Sequence, residues 1–151
     1  MRRLNVKYKR IIYSLVPIIG GGIVGLIISS YMDYQDLIKP PLAPPGFIFP
    51  IVWTILYILM GVSYYISNSD DKELDQIYLL QLLVNLLWPI IFFVLKMYFS
   101  AFLWIILLLI LVIVMIKEFL RIKKLSGYLQ IPYLLWLLFA TYLNIGVFIL
   151  N

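Results

Sequence analysis

The sequence predicts an all-α integral membrane protein built as a bundle of five transmembrane helices. Hydrophobic residues make up 64% of its 151 residues and charged residues 13%, whereas soluble domains hold about 45–50% and about 25%. The apolar residues form five runs long enough to cross a bilayer, since about 20 helical residues span about 30 Å of hydrocarbon. A soluble fold of this length cannot bury that much apolar surface and still present a polar exterior.

The five predicted helices lie at about 11–31, 47–67, 76–95, 101–117 and 128–150. Together they make residues 1–151 a single membrane domain. The first apolar run is longer than the roughly 7–15 residues of a signal peptide, so we expect it to be retained. The fourth run has neither Pro nor Gly and is typical of a scaffold or lipid-facing helix. The other four runs contain prolines, which are expected to bend them, namely Pro17, Pro50, Pro89 and Pro132.

The basic residues predict an orientation in the membrane. Lys and Arg concentrate in the first ten residues, which include Arg2 and Arg3, and again at 117–124. Because basic residues favour the cytoplasmic ends of membrane helices, we expect the amino terminus inside and the first loop and carboxyl end outside. The protein is then a multi-pass protein of a bacterial plasma (inner) membrane.

Residue types that are missing exclude several kinds of site. The chain has no Cys and no His, which excludes thiol nucleophiles, Ser-His-Asp triads and metal sites built on those ligands. No charged residue lies inside a predicted helix, which disfavours a proton-coupled carrier. The net charge of +5 comes from basic clusters beside apolar runs, so no nucleic-acid partner is expected.

Three predicted helices carry stripes of aromatic and amide residues at helical spacing. The stripes are Trp53, Tyr57 and Tyr64 in the second helix, Gln81, Asn85, Trp88 and Phe92 in the third, and Tyr133, Trp136, Ala140 and Asn144 in the fifth. Stripes that face one another would form an apolar small-molecule pocket with a few polar groups. The alternative is plain helix packing, in which Asn and Gln join helices, and the stripes alone leave both open.

The first loop, at about 32–46, holds two proline pairs, Pro40–Pro41 and Pro44–Pro45. These residues restrict the backbone and make the loop stiff, so it is either a lid over the helix mouth or a rigid connector. In the first helix, Gly21 and Gly25 have the G-x-x-x-G spacing. That spacing permits close helix approach, either within the bundle or between protomers.

Three longer stretches share the pattern of one membrane family. They are KPPLAPPGFIFPIVWTILY in the first loop and second helix, QLLVNLLWPIIFF in the third helix and IPYLLWLLFATYLN in the fifth. Over about residues 34–144 the chain resembles the TspO/MBR family of translocator and tryptophan-rich sensory proteins, also described as peripheral-type benzodiazepine receptors.

The resemblance implies a five-helix bundle, often a homodimer, with a pocket beneath the first loop. That pocket would bind porphyrins, including protoporphyrin IX as ligand or substrate, and benzodiazepine-site ligands, with no metal or other cofactor. The family's pocket positions fall on Tyr34, Pro44, Pro45, Trp53, Asn85, Trp88, Trp136 and Ala140. The stripes add Tyr57, Phe92 and Asn144 as candidate ligand-binding residues.

Two departures from the family pattern limit what is carried over. Leu42 stands where the family often has an aromatic residue, which weakens the case for loop stacking on a ligand. The cholesterol motif of animal members needs a basic residue soon after the tyrosine that Tyr142 matches, and none follows here. A cholesterol partner is therefore disfavoured.

Four functions remain open for such a protein. It is a receptor or sensor that binds tetrapyrroles or another apolar small molecule without turnover, a light-dependent enzyme that degrades protoporphyrin IX, a tetrapyrrole transporter, or a structural partner in the lipid bilayer. Some bacterial members are similar to light-dependent porphyrin-degrading catalysts that use two pocket tryptophans. Trp53 and Trp136 match those positions and are the candidate catalytic residues. We favour the receptor.

Overall fold

The computed structural model describes residues 2–151, so Met1 and the side chains of Arg2 and Arg3 in the predicted basic tail lie outside it. The described chain forms six α-helices and no strand. They are α1 (Arg2–Ile28), α2 (Ile48–Ser67), α3 (Lys72–Pro89), α4 (Tyr98–Ile122), α5 (Lys124–Tyr128) and α6 (Ile131–Leu150). Five segments are long and apolar enough to cross a membrane, namely Leu4–Tyr31, Ile48–Ser67, Lys72–Val94, Tyr98–Ile122 and Lys124–Leu150. The all-α membrane fold with five transmembrane helices is therefore confirmed.

The helix boundaries differ from prediction where the sequence is polar. The basic tail continues α1, which begins at Arg2 rather than at about residue 11. Lys9 donates to the carboxylates of Asp70 and Asp75 at 2.8 and 2.6 Å, which ties this polar turn to the start of α3. The fifth predicted helix starts slightly later than expected, because α5 ends at Tyr128 and α6 begins at Ile131.

Two of the four prolines lie in the first turn of a helix rather than in its interior, where bending was predicted. Pro50 and Pro132 occupy the first turns of α2 and α6, where a backbone N–H has no partner inside the helix. The prediction that they bend these helices is wrong, because no internal hydrogen bond is lost there. Pro89 does mark a change, since a π-helical turn follows it at Ile90–Val94.

Pro17 is the proline that interrupts a long helix, α1. It has no N–H to donate to the carbonyl of Tyr13, four residues earlier. The hydroxyl of Tyr78 on α3 donates to that carbonyl at 2.8 Å. The polar group that proline releases is thus satisfied from a neighbouring helix, as membrane helices require.

The helices follow one another round the bundle in the order α2, α1, α3, α4, α6. Helix α1 lies closest to α2 at Gly61, where a Cβ would overlap the carbonyl oxygen of Ser14. The short helix α5 packs against α4 and α2 at one end. Between residues 52–56 of α2 and residues 132–139 of α6, these two helices border an open groove.

Ion pairs hold the two ends of the bundle. At the end that carries both basic regions, Arg121 bridges Asp71 and Glu118 at 2.9 and 2.6 Å. Asp71 also caps α3, and its hydrogen bond from the Leu74 N–H, followed by that from Arg121, lowers the pKa of its carboxyl. At the opposite end Lys96 pairs with Asp33 at 2.7 Å, so the π-helical turn is tied to the first loop.

Candidate functional site

A chain of hydrogen bonds joins three helices in the middle of the bundle. The Tyr57 hydroxyl on α2 donates to Asn85 Oδ1 on α3 at 2.7 Å. Asn85 Nδ2 donates to the Tyr133 hydroxyl on α6 at 2.6 Å, and that hydroxyl donates to Gln81 Oε1 at 2.9 Å. All four residues are buried. Each polar side chain of these four residues therefore has a partner, as polar groups in a low-dielectric interior require.

A second polar contact lies nearer the first loop. Trp88 Nε1 on α3 donates to Asn144 Oδ1 on α6 at 2.9 Å, and Asn144 Nδ2 donates to the Tyr98 carbonyl at 2.8 Å. The Trp88 ring stacks on Phe92 with centroids 5.2 Å apart. The amide of Asn144 thus connects α6 to both the end of α3 and the start of α4.

The two candidate catalytic tryptophans have different surroundings. Trp53 stacks on Tyr57 with centroids 5.7 Å apart and meets Tyr133 edge-on at 6.3 Å. Trp136 meets Phe49 edge-on at 5.8 Å. Its Nε1 is buried and has no hydrogen-bond partner among the described residues. The Trp136 N–H is therefore a buried free donor, whereas the Trp53 ring contacts two phenol rings.

The first loop packs against these rings through the contact of Tyr34 with Phe49. Tyr34 is buried, its ring meets Phe49 edge-on at 5.0 Å, and its hydroxyl donates to the Pro44 carbonyl at 2.8 Å. Burial raises the pKa of the Tyr34 phenol. Pro44 is half-buried and Pro45 is exposed, so of the loop's predicted binding residues Tyr34 reaches furthest into the bundle.

The same loop is fastened to α6. The Tyr142 hydroxyl donates to the Pro41 carbonyl at 2.7 Å, and the buried Pro40 ring packs where a Cβ on Gly146 would lie. Leu42, at the tip, has a φ of 69° and is 85% exposed. Its side chain is therefore not packed against the buried rings of the bundle.

An apolar groove of about 430 Å³ runs between α2 and α6 beneath the loop. Its walls are Val52, Ile55, Leu56, Pro132, Leu135, Trp136 and Phe139. Ile55 and Leu135 are more than half exposed, so the groove opens on the lipid-facing surface of the bundle. Its volume lies in the range of about 300–1,000 Å³ typical of small-molecule sites.

The structure brings the predicted residues together only in part. Tyr57 and Asn85 are in direct contact, as are Trp88, Phe92 and Asn144. Trp136 alone of the predicted set lines the groove, and Ala140 is buried one turn further along α6. Tyr34, Pro44 and Pro45 lie in the loop, while the remaining stripe residues contact one another across helices. The three stripes therefore do face one another.

Two residues with prominent contacts were not among the predicted binding residues. Tyr133 stands in the fifth-helix stripe and is the junction between Asn85 and Gln81. Phe49 joins Tyr34 to Trp136 through its ring. It lies four residues before Trp53, so the stripe of the second helix could have been extended by one turn to include it.

Comparison with known proteins identifies the family. The TspO/MBR family matches residues 13–150. The chain is 32% identical over 149 residues to the tryptophan-rich protein TspO of Archaeoglobus fulgidus, which covers 94% of this chain and 97% of that relative. It is 36% identical over 136 residues to protein CrtK of Rhodobacter capsulatus, covering 86% and 85%. It is 30% identical over 141 residues to the translocator protein of Ovis aries, covering 87% and 83%.

Two of these relatives are named a tryptophan-rich protein and a translocator protein, and all three cover most of the five-helix bundle described above. The family match includes the whole of α2, α3, α4 and α6, on which the aromatic and amide residues stand. The chain therefore belongs to the TspO/MBR family of multi-pass membrane proteins.

Proposed function

We propose that this protein is a membrane receptor or sensor that binds porphyrins, with protoporphyrin IX as the reference ligand, and smaller benzodiazepine-site ligands. The observation that carries the proposal is the placement of Trp136, with its unpartnered N–H, on the wall of a 430 Å³ groove between α2 and α6. The same two helices carry the contacting rings of Trp53, Tyr57 and Tyr133. A porphyrin is a large flat π-system, and indole and phenol rings are the side chains that stack best on such a surface. Membership of the family supports a membrane sensor or receptor in general, and porphyrins are the ligand class that the sequence resemblance implies.

Binding would begin at the groove between α2 and α6. An apolar ligand reaches this surface from the hydrocarbon region, where Val52, Ile55 and Leu135 offer it apolar contact. The Trp136 Nε1–H can donate to a carbonyl or carboxylate on the ligand, which relieves an unsatisfied buried donor. Deeper insertion would require the Trp53 and Tyr57 rings to move apart.

The chemistry of the site favours binding over turnover. The groove is lined by aliphatic side chains, one phenyl ring and the Trp136 indole, and the hydrogen-bonded chain from Tyr57 to Gln81 consists of phenols and amides. Hydrolysis and group transfer depend on a positioned acid or base, and this chain of contacts contains no carboxylate, imidazole or amine. A receptor needs only the stacking surface and the free donor.

The test is a titration of the purified protein in detergent with protoporphyrin IX in darkness, followed by tryptophan fluorescence. We expect saturable quenching that weakens in Trp136→Phe, because the free donor and a stacking surface are lost. Trp104→Phe is the matched control, since the Trp104 indole donates to the Val84 carbonyl on the α3–α4 side. Quenching that does not saturate, or that weakens equally in both variants, would contradict the proposal.

Light-dependent degradation of protoporphyrin IX is the second candidate. It is favoured by the contact of Trp53 with two phenol rings, at 5.7 Å to Tyr57 and 6.3 Å to Tyr133, which places oxidisable rings side by side. The reaction would consume dioxygen and light. Loss of porphyrin absorbance under light that stops in Trp53→Phe/Trp136→Phe, with dark binding retained, would support it. Uptake of porphyrin into sealed vesicles would instead support transport.

We also propose that the amino terminus faces the cytoplasm of a bacterial cell and that the first loop faces outward. The support is the gathering of both basic regions at one end of the bundle, where Lys9 contacts the α2–α3 turn and Arg10 and Lys123 contact the last turn of α2. The chain has no Cys, so a single introduced cysteine is a unique label. We expect Leu42→Cys to react with an impermeant maleimide in intact cells and Lys124→Cys to react only after lysis.

A further inference from the structure

Three consecutive glycines in α1 face three different surroundings. A Cβ on Gly21 would overlap the ring of Tyr57. A Cβ on Gly20 would meet the end of the flexible Leu86 side chain at 2.8 Å, and one on Gly22 would meet no atom within 4 Å. Gly21 is therefore the glycine whose missing side chain provides space for an aromatic ring of the candidate site.

The ring that Gly21 accommodates is held on its other sides as well. Tyr57 is 7% exposed, its face stacks on Trp53 at an interplanar angle of 29°, and its hydroxyl donates to Asn85 at 2.7 Å. In a close-packed interior such a ring cannot yield on one side without shifting on another. A side chain added at position 21 therefore displaces the Tyr57 ring, and that displacement shifts the indole of Trp53 and the amide of Asn85.

We infer that Gly21 is a positioning residue, which sets the location of the Tyr57 ring and through it the width of the ligand site. The part that concerns ligands rests on the proposed function. With Ala at position 21 the ring is pushed toward Trp53 and Asn85, which narrows the space that a ligand needs between the Trp53 and Tyr57 rings. A wide planar ligand such as protoporphyrin IX loses more affinity from this change than a small aromatic ligand such as diazepam.

The alternative use of this glycine is a G-x-x-x-G contact between protomers, and the packing opposes it. Gly21 is covered by the Tyr57 ring, whereas a Cβ on Gly25 would meet no described atom within 4 Å. The two glycines therefore do not form one open stripe that a second copy could occupy. Gly21 acts within its own bundle.

The experiment compares Gly21→Ala with Gly22→Ala, which is the matched control because both changes add one methyl group to the same turn of α1. Near-ultraviolet circular dichroism and tryptophan emission report the Trp53–Tyr57 contact without any ligand. We expect both spectra to change in Gly21→Ala and to match the wild type in Gly22→Ala. Identical spectra in all three proteins would overturn the inference.

The ligand part is measured by dark titration with protoporphyrin IX and with diazepam. We expect Gly21→Ala to weaken porphyrin binding about tenfold or more, equivalent to about 1.4 kcal/mol, and diazepam binding by less than that. Gly22→Ala should stay within about twofold of the wild type. Equal losses for the two ligands would contradict the width argument.

A Tyr57→Ala background separates positioning from a general loss of stability. When the ring is absent, Gly21→Ala has nothing to displace, so its effect on the spectra should vanish. An effect that persists in that background would refute the role assigned to Gly21. If the wild-type protein binds no porphyrin the proposed function fails, while the ligand-free spectra still decide the role of this glycine.

Discussion

The hydrogen bond between Tyr57 and Asn85 allows a quantitative test of the buried network. Asn85→Leu removes two interhelical hydrogen bonds, from the Tyr57 hydroxyl at 2.7 Å and to the Tyr133 hydroxyl at 2.6 Å. Such bonds between membrane helices contribute about 0.6 kcal/mol on average and up to about 1.7 kcal/mol. We therefore expect Asn85→Leu to lower the free energy of unfolding by about 1–3 kcal/mol.

The loss of unfolding free energy in each variant depends on which polar group is left without a partner. In Asn85→Leu the Tyr133 hydroxyl still donates to Gln81 Oε1 at 2.9 Å, but the Tyr57 hydroxyl has lost its acceptor in a buried position. Tyr57→Phe removes that hydroxyl. The double variant should therefore be no less stable than Asn85→Leu alone, which makes the two changes non-additive.

The assay is reversible unfolding in mixed micelles with increasing sodium dodecyl sulfate, followed by tryptophan fluorescence, for the wild type, both single variants and the double variant. We expect a coupling free energy of about 0.6–1.7 kcal/mol, the range measured for a membrane hydrogen bond. Additivity of the two single effects within about 0.3–0.5 kcal/mol is the behaviour of independent sites. That result would refute the claim that the two side chains are bonded.

Three further changes test other parts of the structure. Gly61→Ala places a methyl group against the α1 backbone and should lower the free energy of unfolding by about 1–3 kcal/mol, whereas Gly25→Ala, in open space, should not. Because the pKa of the Asp71 carboxyl is lowered in the folded protein, its charge stabilises the fold fully above pH 3.8, and this stabilisation is lost as pH falls through the pKa of the folded state. Asp71→Asn keeps the helix cap and should reduce the drop in melting temperature at acidic pH, measured in a pH series of thermal melts. Tyr142→Phe removes the hydrogen bond to Pro41 and should speed amide hydrogen exchange in the first loop without shifting the melting temperature by more than a few degrees.

Hydrophobic patterning was enough to predict the five spanning helices, because the requirement to cross the bilayer fixes their length and polarity. The start of α1 could not be predicted this way, since its first turns are polar and are held by the contact of Lys9 with Asp75, 66 residues away. The break before α6 lies at the start of the fifth predicted helix, where α5 ends at Tyr128 and α6 begins at Ile131. It is supported by the fully buried Gln130, whose amide donates to the Leu59 carbonyl and to Ser63.

The candidate site shows the same division between local and distant information. Helical spacing placed Tyr57 and Asn85 on inward faces, and the two side chains do meet. Spacing carries no information on which hydroxyl bonds to which amide across helices, so the role of Tyr133 as a junction was not predicted. The groove beside Trp136 arises from the separation of α2 and α6, which depends on packing throughout the bundle.

The contact between Tyr78 and the Tyr13 carbonyl has a consequence for biogenesis. Membrane helices are inserted one after another and associate afterwards. When α1 is first inserted, Pro17 leaves the Tyr13 carbonyl without its helical donor, and the Tyr78 hydroxyl that satisfies it arrives only with α3. An unpaired carbonyl in hydrocarbon is unfavourable by several kcal/mol. The newly inserted first helix therefore has an unsatisfied carbonyl in the membrane. This favours early association of α1 with α3, and α1 reaches its final packed position only after α3 is inserted.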